Sequence, residues 1–428
     1  MRLNLLSILS LSLLAQLPPP GTGVERTMSR LAAATPTNPQ TTRILFYGQS
    51  ITKQAWWRDV AADLRGRYPH ADLRIENRAI GGYSTPFLIR TMEADILPFH
   101  PDLVIFHDYG SAEIYEQIIT WIHTHTTAEI LLQSDHVTWL PGETDPTGAR
   151  LKSYEAQEKH SFNFLPALAR KYGLGLVDIR GGWHAHLAQS KLTPPALLRD
   201  AVHLNKPGED LYAALTKAYL VAPARPVPNE RIKNLTVPFK KNELTLDFTG
   251  TRIDLLDVTG APIDVLIDGQ RPAAFYHSRP TNTWDADWPT VRHVGSEKPL
   301  QAEEWTLKVT KRTPPGVEFD FELYGTRTGF DGTGSSKLPF VSRSGRVTLN
   351  PADYDVERSY GLHKIPMPPD WQIRWSTLPR FLDPVHPQPG LQTILYGLSN
   401  TAHRLTLRAL PNQRPTPLKL RIHRPPSE

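Results

Sequence analysis

The sequence Arg43-Ile44-Leu45-Phe46-Tyr47-Gly48-Gln49-Ser50 decides the fold of the first half of the chain. Its first five residues are mainly apolar and predict a buried strand, and a short turn follows. Trp56, Val60 and Leu64 then recur at helical spacing and predict a helix over residues 53–68. A buried strand followed by a helix is the repeating unit of a parallel sheet covered on both faces.

The same alternation continues to about residue 221. Further strands are predicted at 73–77, 103–106, 129–133 and 176–179, and further helices at 85–97, 111–126, 151–172 and 205–220. Because the strands are continuously apolar and helices separate them, residues 42–223 are predicted to form a three-layer α/β domain of flavodoxin-like type with a parallel sheet.

After residue 223 the rhythm changes. Strand-like runs such as 244–248, 262–267 and 305–309 are short, and Thr-Gly and Asp-Gly turns separate them. Many of the 40 prolines also lie in this half. Short strands with Gly and Pro turns predict a C-terminal β-sandwich of jelly-roll type over residues 224–428.

Composition restricts the function classes. The chain has 428 residues, a formal net charge of +5 and no cysteine, which excludes disulfides, thiolate metal sites and cysteine nucleophiles. No block of Lys and Arg with interleaved aromatic residues occurs, so nucleic acid is not an expected partner.

The N-terminus resembles a signal peptide. Arg2 precedes an apolar run over residues 3–17, and Pro18, Pro19 and Pro20 end that run. We expect residues 1–24 to be the leader and residues 25–41 to be a linker or disordered arm; the alternative is an uncleaved membrane anchor. The expected protein is secreted or periplasmic, without stable membrane insertion after the leader is removed.

The residues that could carry chemistry follow the predicted strands, because ligands of open parallel sheets bind at the carboxyl ends of the strands. They are Gly48-Gln49-Ser50, Asn77 to Gly82, His107 to Gly110, Ser134 to His136 and, before the last helix, Asp200 to His203. Ser50 at a strand-to-helix turn offers a hydroxyl nucleophile and a backbone N–H to one pocket. A serine nucleophile needs a base, and His203 with Asp200 three residues before it can supply one and orient it.

These three blocks resemble the SGNH hydrolases, also called GDSL-type esterases, over residues 42–221. Gly48-Gln49-Ser50 matches the first block, Gly82 after Asn77 the second, and Asp200-Ala201-Val202-His203 the last. The resemblance implies that Ser50 is the nucleophile, that His203 and Asp200 activate it, and that the N–H groups of Ser50 and Gly82 bind the oxyanion. It implies no metal or organic cofactor.

Two positions depart from the family pattern. Gln49 replaces the usual Asp, a change that looks tolerated in relatives acting on carbohydrates. The third block has Phe106 to Ser111 in place of Gly-x-Asn-Asp, so the Asn donor to the oxyanion is missing. Losing one such donor costs about 2.7–4 kcal/mol in activation free energy. His107, Tyr109 and the backbone at Gly110 are the candidate substitutes.

Several alternatives stay open. Ser50 can be a simple helix cap and His203 a structural histidine. His136 can line the pocket or only pack, and Trp139, Trp183 and Tyr83 can stack on a sugar or belong to the core.

The C-terminal half has a weaker resemblance to the jelly-roll modules of some carbohydrate esterases. It is carried by residues 248–253, 265–269 and 397–407. The resemblances together lead us to expect a secreted serine esterase that removes an acyl group, acetyl first, from a polysaccharide or oligosaccharide.

The rival hypotheses differ in chemistry. One is an esterase acting on lipid or aryl esters, which an apolar lid would favour; the sequence shows no such lid. Another is a non-catalytic carbohydrate-binding protein on the same fold. The third is a glycan-cleaving hydrolase with a repurposed pocket, in which Asp108, Asp135 and Glu113 are the candidate carboxylates.

Overall fold

The computed structural model describes residues 17–282, 291–313, 318–364, 368, 370–409 and 417–427. In the first half, strands and helices alternate. The strands are β1 (Thr41–Gly48), β2 (Asp72–Asn77), β3 (Leu103–His107), β4 (Glu129–Gln133) and β5 (Gly175–Val177). The helices are α1 (Glu25–Ala32), α2 (Ser50–Lys53), α3 (Trp56–Arg67), α4 (Thr85–Ile96), α5 (Ala112–His125), α6 (Ala149–Lys159), α7 (Leu165–Tyr172), α8 (Ile179–Ser190) and α9 (Lys206–Tyr219).

The strands form one parallel sheet in the order β2-β1-β3-β4-β5. This order confirms the predicted flavodoxin-like α/β domain. The chain leaves β1 toward β2 on one side and returns to β3 on the other. The carboxyl ends of β1 and β3 therefore border the crevice in which such sheets bind ligands.

Two apolar cores cover the two faces of the sheet. Along β1, Ile44 and Phe46 belong to one core with helices α1, α3, α8 and α9. Leu45 and Tyr47 belong to the other with α4, α5 and α7. Successive side chains of a strand point to opposite faces, so a strand buried on both faces must be apolar throughout.

The prediction that residues 25–41 form a linker or disordered arm is wrong for the first part of this segment. Its first part is helix α1, and Met28 and Leu31 are buried in the core shared with the sheet. The Thr27 backbone N–H donates to Glu129 at the start of β4 over 2.7 Å. Burial against the sheet, and not local helix propensity, orders this eight-residue helix.

The predicted leader boundary at residue 24 stays a prediction, and residues just before it contact the first half of the chain. Val24 is fully buried, the Gly21 N–H donates to the Tyr219 carbonyl over 2.9 Å, and the Tyr219 hydroxyl donates to the Thr22 carbonyl over 3.0 Å. A cut after residue 24 would remove these contacts. Leader removal itself stays a prediction, since residues 1–16 lie outside the described part. No helix among the described residues is long and apolar enough to cross a membrane.

The second half of the chain is rich in antiparallel strands. These are β6 (Ile232–Val237), β7 (Glu243–Thr249), β8 (Arg252–Leu256), β9 (Ile263–Ile267), β10 (Phe275–His277), β11 (Thr281–Asn282), β12 (Glu303–Thr313), β13 (Glu318–Gly325), β14 (Gly329–Ser335), β15 (Phe340–Val341), β16 (Thr348–Leu349), β17 (Gln372–Pro379), β18 (Leu391–Tyr396), β19 (Ala402–Ala409) and β20 (Leu418–His423). A helix, α10 (Val356–His363), precedes β17.

The predicted β-sandwich is present, but it is only part of this half. Sheets β18-β8-β20-β6 and β7-β19-β9 enclose one apolar core. Between β9 and β18, the chain forms a further antiparallel sheet, β10-β17-β12-β13-β14, with a core of its own. Sequence patterns do not separate these two cores, because both are built from short strands joined by turns.

The inserted unit packs against α4 of the first half. Arg90 on α4 pairs with Asp353, Glu93 pairs with Arg380, and Arg279 lies 3.3 Å from Asp95. Since α4 begins directly after the Gly81–Gly82 turn, these ion pairs bring the C-terminal half next to the crevice.

Candidate active site

The turn after β1 places Ser50 at the crevice. Gly48 has φ +151°, and a Cβ on it would lie 2.1 Å from the His107 carbonyl oxygen at the end of β3. Only glycine allows the two strand ends to approach so closely. Gln49 caps helix α2, since its Oε1 accepts from the Ile51 N–H over 3.0 Å. Ser50 then begins the helix with its hydroxyl at the carboxyl edge of the sheet.

Ser50, His203 and Asp200 form one hydrogen-bonded series. His203 Nε2 lies 3.1 Å from Ser50 Oγ, and His203 Nδ1 lies 2.9 Å from Asp200 Oδ2. The structure therefore brings together all three residues that the sequence singled out. Asp200 and His203 share one short segment before α9, and the fold carries that segment across the sheet to Ser50, 153 residues away.

Asp200 is held as a carboxylate. Partial burial alone would raise its pKa, but the backbone N–H groups of His203 and Val202 donate to it over 2.7 and 2.8 Å, and the His203 ring adds a further contact. Together these donors lower the pKa of Asp200 to about 2. At neutral pH the carboxylate thus accepts from His203 Nδ1–H and leaves Nε2 facing Ser50 as the proton acceptor.

The Ser50 hydroxyl has two acceptors within reach and only one proton. Gln49 Oε1 lies 2.9 Å and His203 Nε2 lies 3.1 Å from Ser50 Oγ. With His203 neutral, Ser50 can donate to the imidazole. With His203 protonated, the imidazolium donates to Ser50 Oγ, and Ser50 donates to Gln49. Gln49 therefore accepts from the serine hydroxyl when the histidine is protonated, and it gives up that proton to His203 when the histidine is neutral.

The Gly81–Gly82 turn lies beside the nucleophile. A Cβ on Gly81 would lie 4.0 Å from the Ser50 Cβ, and Gly82 has φ +74°. Within the described ranges, neither the Ser50 nor the Gly82 backbone N–H donates a hydrogen bond to the protein. Both groups are free to receive a negatively charged oxygen, and the role of Gly82 in doing so stays a prediction.

Among the candidate substitutes for the missing Asn, His107 is excluded by its contacts. Its ring is fully buried, with Nδ1 3.0 Å from Gln49 Nε2 and Nε2 3.3 Å from Asp135 Oδ1. Both ring nitrogens face protein groups, so neither can donate to an oxyanion. The exposed Tyr109 side chain and the Gly110 backbone stay as candidates.

Three of the predicted pocket residues lie behind the site and do not line it. Gln49, His107 and His136 are all at most 1% exposed. They belong to a buried hydrogen-bonded series that sequence patterns do not reveal, because its members come from the ends of three strands. Trp183 and Tyr83 are fully buried as well, so they are core residues and not sugar platforms.

An open cavity of about 500 Å³ borders the Asp200 segment. Trp139, Tyr154, Glu143, Arg150 and Asp200 are among the residues that line it. The Trp139 and Tyr154 rings meet edge to face with centroids 6.1 Å apart. The cavity therefore combines aromatic surface with charged hydrogen-bonding groups.

Arg358 is a neighbour of the site that sequence reasoning missed. It lies on α10 in the C-terminal half and donates to the Gly82 carbonyl, 276 residues away. Its guanidinium also lies 4.4 Å from the centroid of the Phe87 ring on α4. An isolated arginine in a strand-rich region gives no local signal for this contact.

The carboxylates of the glycan-cleaving alternative are differently placed. Asp135 accepts from His136 Nδ1 over 2.8 Å and lies against His107, so its carboxylate is taken up by two histidines. Asp108 is buried, and burial raises its pKa well above the usual range. Glu113 lies in the exposed first turn of α5. The three are unlike a pair of carboxylates facing one substrate bond.

The fold and the site together define an α/β protein with a Ser–His–Asp series at the carboxyl edge of a parallel sheet. No protein-family model matches the chain, and no curated protein matches its sequence.

Among solved structures, the chain is similar to a two-domain esterase active on acetylated mannans, co-crystallised with mannopentaose (17% identity, TM-score 0.38, 95% of each chain). It is also similar to an acetylxylan esterase from Geobacillus stearothermophilus (17% identity, TM-score 0.38, 44% of this chain and 99% of the other). A third match is the acetyl xylan esterase AlAXEase (21% identity, TM-score 0.34, 41% and 97%).

Proposed function

We infer that the protein is a serine ester hydrolase of the SGNH type, with Ser50 as nucleophile, His203 as general base and then acid, and Asp200 as the group that orients His203. The observation that carries this proposal is the continuous series from Ser50 Oγ through both ring nitrogens of His203 to the Asp200 carboxylate. A serine that only capped a helix would not need a histidine held by a carboxylate on its hydroxyl.

The proposed reaction has two halves. Ser50 Oγ attacks the acyl carbon while His203 Nε2 takes the hydroxyl proton, and the imidazolium then protonates the departing alcohol oxygen as the ester bond breaks. A water molecule attacks the resulting acyl-serine, gives its proton to His203, and releases the acid when that proton returns to Ser50 Oγ. Asp200 stays ionised throughout and accepts from Nδ1–H.

The proposed oxyanion hole is made of backbone groups. Among the described residues, the N–H groups of Ser50 and Gly82 donate to no protein group, and Gly82 belongs to the turn beside the nucleophile. Without the family's Asn donor, we expect a slower enzyme than one with a complete hole, by roughly 10²–10³ if nothing replaces that donor. The Gly110 backbone and the Tyr109 hydroxyl are the groups that could reduce this deficit.

The proposed substrate is an acylated carbohydrate, with acetyl as the first acyl group to test. The cavity beside Asp200 supports this choice, since aromatic rings with neighbouring carboxylate and guanidinium groups suit the apolar faces and hydroxyls of sugars. We also propose that the protein is secreted, and the leader-like N-terminus is the feature that supports this location.

The test is hydrolysis of p-nitrophenyl acetate and of acetylated xylan and mannan oligosaccharides by the purified chain. We expect Ser50→Ala to lose at least about 10³-fold in kcat, while Ser190→Ala, an exposed serine at the end of α8, leaves the rate unchanged. Equal rates for Ser50→Ala and the native chain would overturn the serine mechanism. Glycan binding without turnover of any ester would instead support the non-catalytic alternative.

A further inference from the structure

Both ring nitrogens of His136 face hydrogen-bond acceptors. Nδ1 lies 2.8 Å from Asp135 Oδ1, and Nε2 lies 2.7 Å from the Val202 carbonyl oxygen. A backbone carbonyl has no proton to give, so Nε2 must carry one. A neutral imidazole has a single N–H, and at 2.8 Å a bare Nδ1 would face a carboxylate lone pair. The contacts therefore require a proton on each nitrogen.

Asp135 supplies the charge that such an imidazolium needs. Its Oδ1 also accepts from the His136 backbone N–H over 2.9 Å and lies 3.3 Å from His107 Nε2. Burial alone would raise the pKa of Asp135, but the charge of His136 and the His107 contact hold it well below the usual range. The pair is thus a buried ion pair, in which each partner stabilises the charged form of the other.

The same contacts continue to the nucleophile. Gln49 Oε1 accepts from the Ile51 N–H, so its Nε2 is the end that donates to His107 Nδ1 over 3.0 Å. His107 Nε2 lies 3.3 Å from Asp135 Oδ1, a polar contact that falls short of a hydrogen bond. One buried series of polar contacts links Ser50 to the carbonyl of Val202; its members are Gln49, His107, Asp135 and His136.

Val202 lies inside the segment that carries the proposed base. The other hydrogen bonds of residues 200–203 within the described ranges are internal, to the neighbouring Arg199, or to Ser50. Asp200 and Val202 are exposed, and the next residue, Leu204, is buried and bonded to Gln54 through its N–H and its carbonyl. Within residues 200–203, the bond from His136 is, besides the His203–Ser50 contact, the hydrogen bond among the described residues that joins the segment to the edge of the sheet.

We propose that His136 is held as an imidazolium by Asp135 and is a positioning residue that fixes the Asp200–His203 segment on the Ser50 turn. This inference rests on the proposed function for its catalytic consequence, but its proton placement does not. A doubly protonated ring gives the Val202 carbonyl a charge-assisted bond, which is about twice as strong as a neutral one. The base then keeps its alignment although its own segment is exposed.

Other polar and titratable groups also surround this pair. Arg180 donates to the His136 carbonyl over 2.8 Å, and the Trp183 ring meets the His136 ring edge to face with centroids 5.4 Å apart. Near Asp135, the titratable groups besides His107 and His136 are Asp108, Tyr109, His160 and Tyr212. Asp135 is the group in contact with the ring that can balance its charge.

Histidine NMR tests the proton placement directly. In the full chain labelled with ¹⁵N-histidine, we expect His136 to show bonded protons on both Nδ1 and Nε2 at pH 7, with His136→Phe assigning the signals. In Asp135→Asn, the ring should lose the Nδ1 proton at the same pH, because its counter-charge is gone. A neutral His136 in the native chain at pH 7 overturns the proposal, whether or not any ester is cleaved.

Kinetics test the positioning role. We expect His136→Phe to lower kcat on p-nitrophenyl acetate about 10- to 100-fold with little change in KM, and His136→Gln to recover part of the loss, since its amide can donate to Val202. The matched control is His160→Phe, a mostly buried histidine outside the series, which should keep its rate. An unchanged kcat in a folded His136→Phe overturns the positioning role. A failure of the proposed function is a separate result, in which Ser50→Ala hydrolyses p-nitrophenyl acetate as fast as the native chain.

Discussion

Arg358 offers a sharp test of whether the C-terminal half takes part in the reaction. Its guanidinium donates to the Gly82 carbonyl, beside the N–H proposed to bind the oxyanion, and stacks on Phe87. Replacing it by Gln removes the charge, while the carbonyl and ring stay in place. We expect the Gly81–Gly82 turn to lose its fixed orientation, and the oxyanion hole to lose part of its alignment.

The magnitude follows from the contact. A hydrogen bond to a charged donor contributes about 1.5–3 kcal/mol, which corresponds to about 10- to 150-fold in a rate constant. Arg358 is half-buried, so water takes over part of the bond and the lower end applies. We therefore expect Arg358→Gln to lower kcat/KM on p-nitrophenyl acetate about tenfold, mainly through kcat. Arg358→Lys, which keeps the charge but not the planar fork, should lose less.

The control is Arg343→Gln. Arg343 also lies over an aromatic ring in the inserted unit, with its guanidinium 4.6 Å from the Phe330 centroid, and its recorded contacts with other described residues do not involve the crevice. Thermal melting of both variants checks that the fold is intact. An Arg358→Gln enzyme as fast as Arg343→Gln refutes the reasoning and limits the C-terminal half to a stabilising or glycan-binding role.

Three further outcomes are expected. Asp200→Asn should reduce kcat by about 10⁴-fold. Because the pKa of Asp200 is about 2, titration of this carboxylate should cause no fall in the native kcat/KM above pH 3. A fall of kcat/KM at acidic pH above 3 that disappears in Asp200→Asn would contradict this expectation. Burial lowers the pKa of His423 from 6.5 to about 4, so the unfolded chain binds more protons in this window. The contribution of His423 to the free energy of unfolding is therefore complete above pH 6.5, and it falls by up to about 1.4 kcal/mol per pH unit as the pH drops toward 4. In urea unfolding, the free energy of unfolding of His423→Gln should depend less on pH than that of the native chain. An equal pH dependence in the two proteins would contradict this expectation. Tyr154→Ala should raise KM for acetylated oligosaccharides several-fold and leave p-nitrophenyl acetate unaffected, and equal KM values would remove the cavity from the substrate path.

Local patterns determine much of the first half. Strand β1 and helix α9 lie within a few residues of their predicted positions, because an apolar run between turns and a 3.6-residue period are encoded within each segment. Helix α1 was not predicted: its eight residues follow a Pro- and Gly-containing stretch, and burial of Met28 and Leu31 by distant strands stabilises it.

The candidate site also has features that neighbouring residues encode and features that depend on contacts between distant residues. Sequence alone determined that Asp200 and His203 lie within one turn of each other and that Ser50 follows a buried strand, because these are relations between neighbouring residues. Only the tertiary structure decided that His203 Nε2 meets Ser50 Oγ, that His107 and His136 share Asp135 behind the site, and that Arg358 reaches Gly82. Apart from that between the neighbours Asp135 and His136, those contacts join residues about 30 to 276 positions apart. Sheet order and packing of the two halves set their distances, which no local propensity encodes.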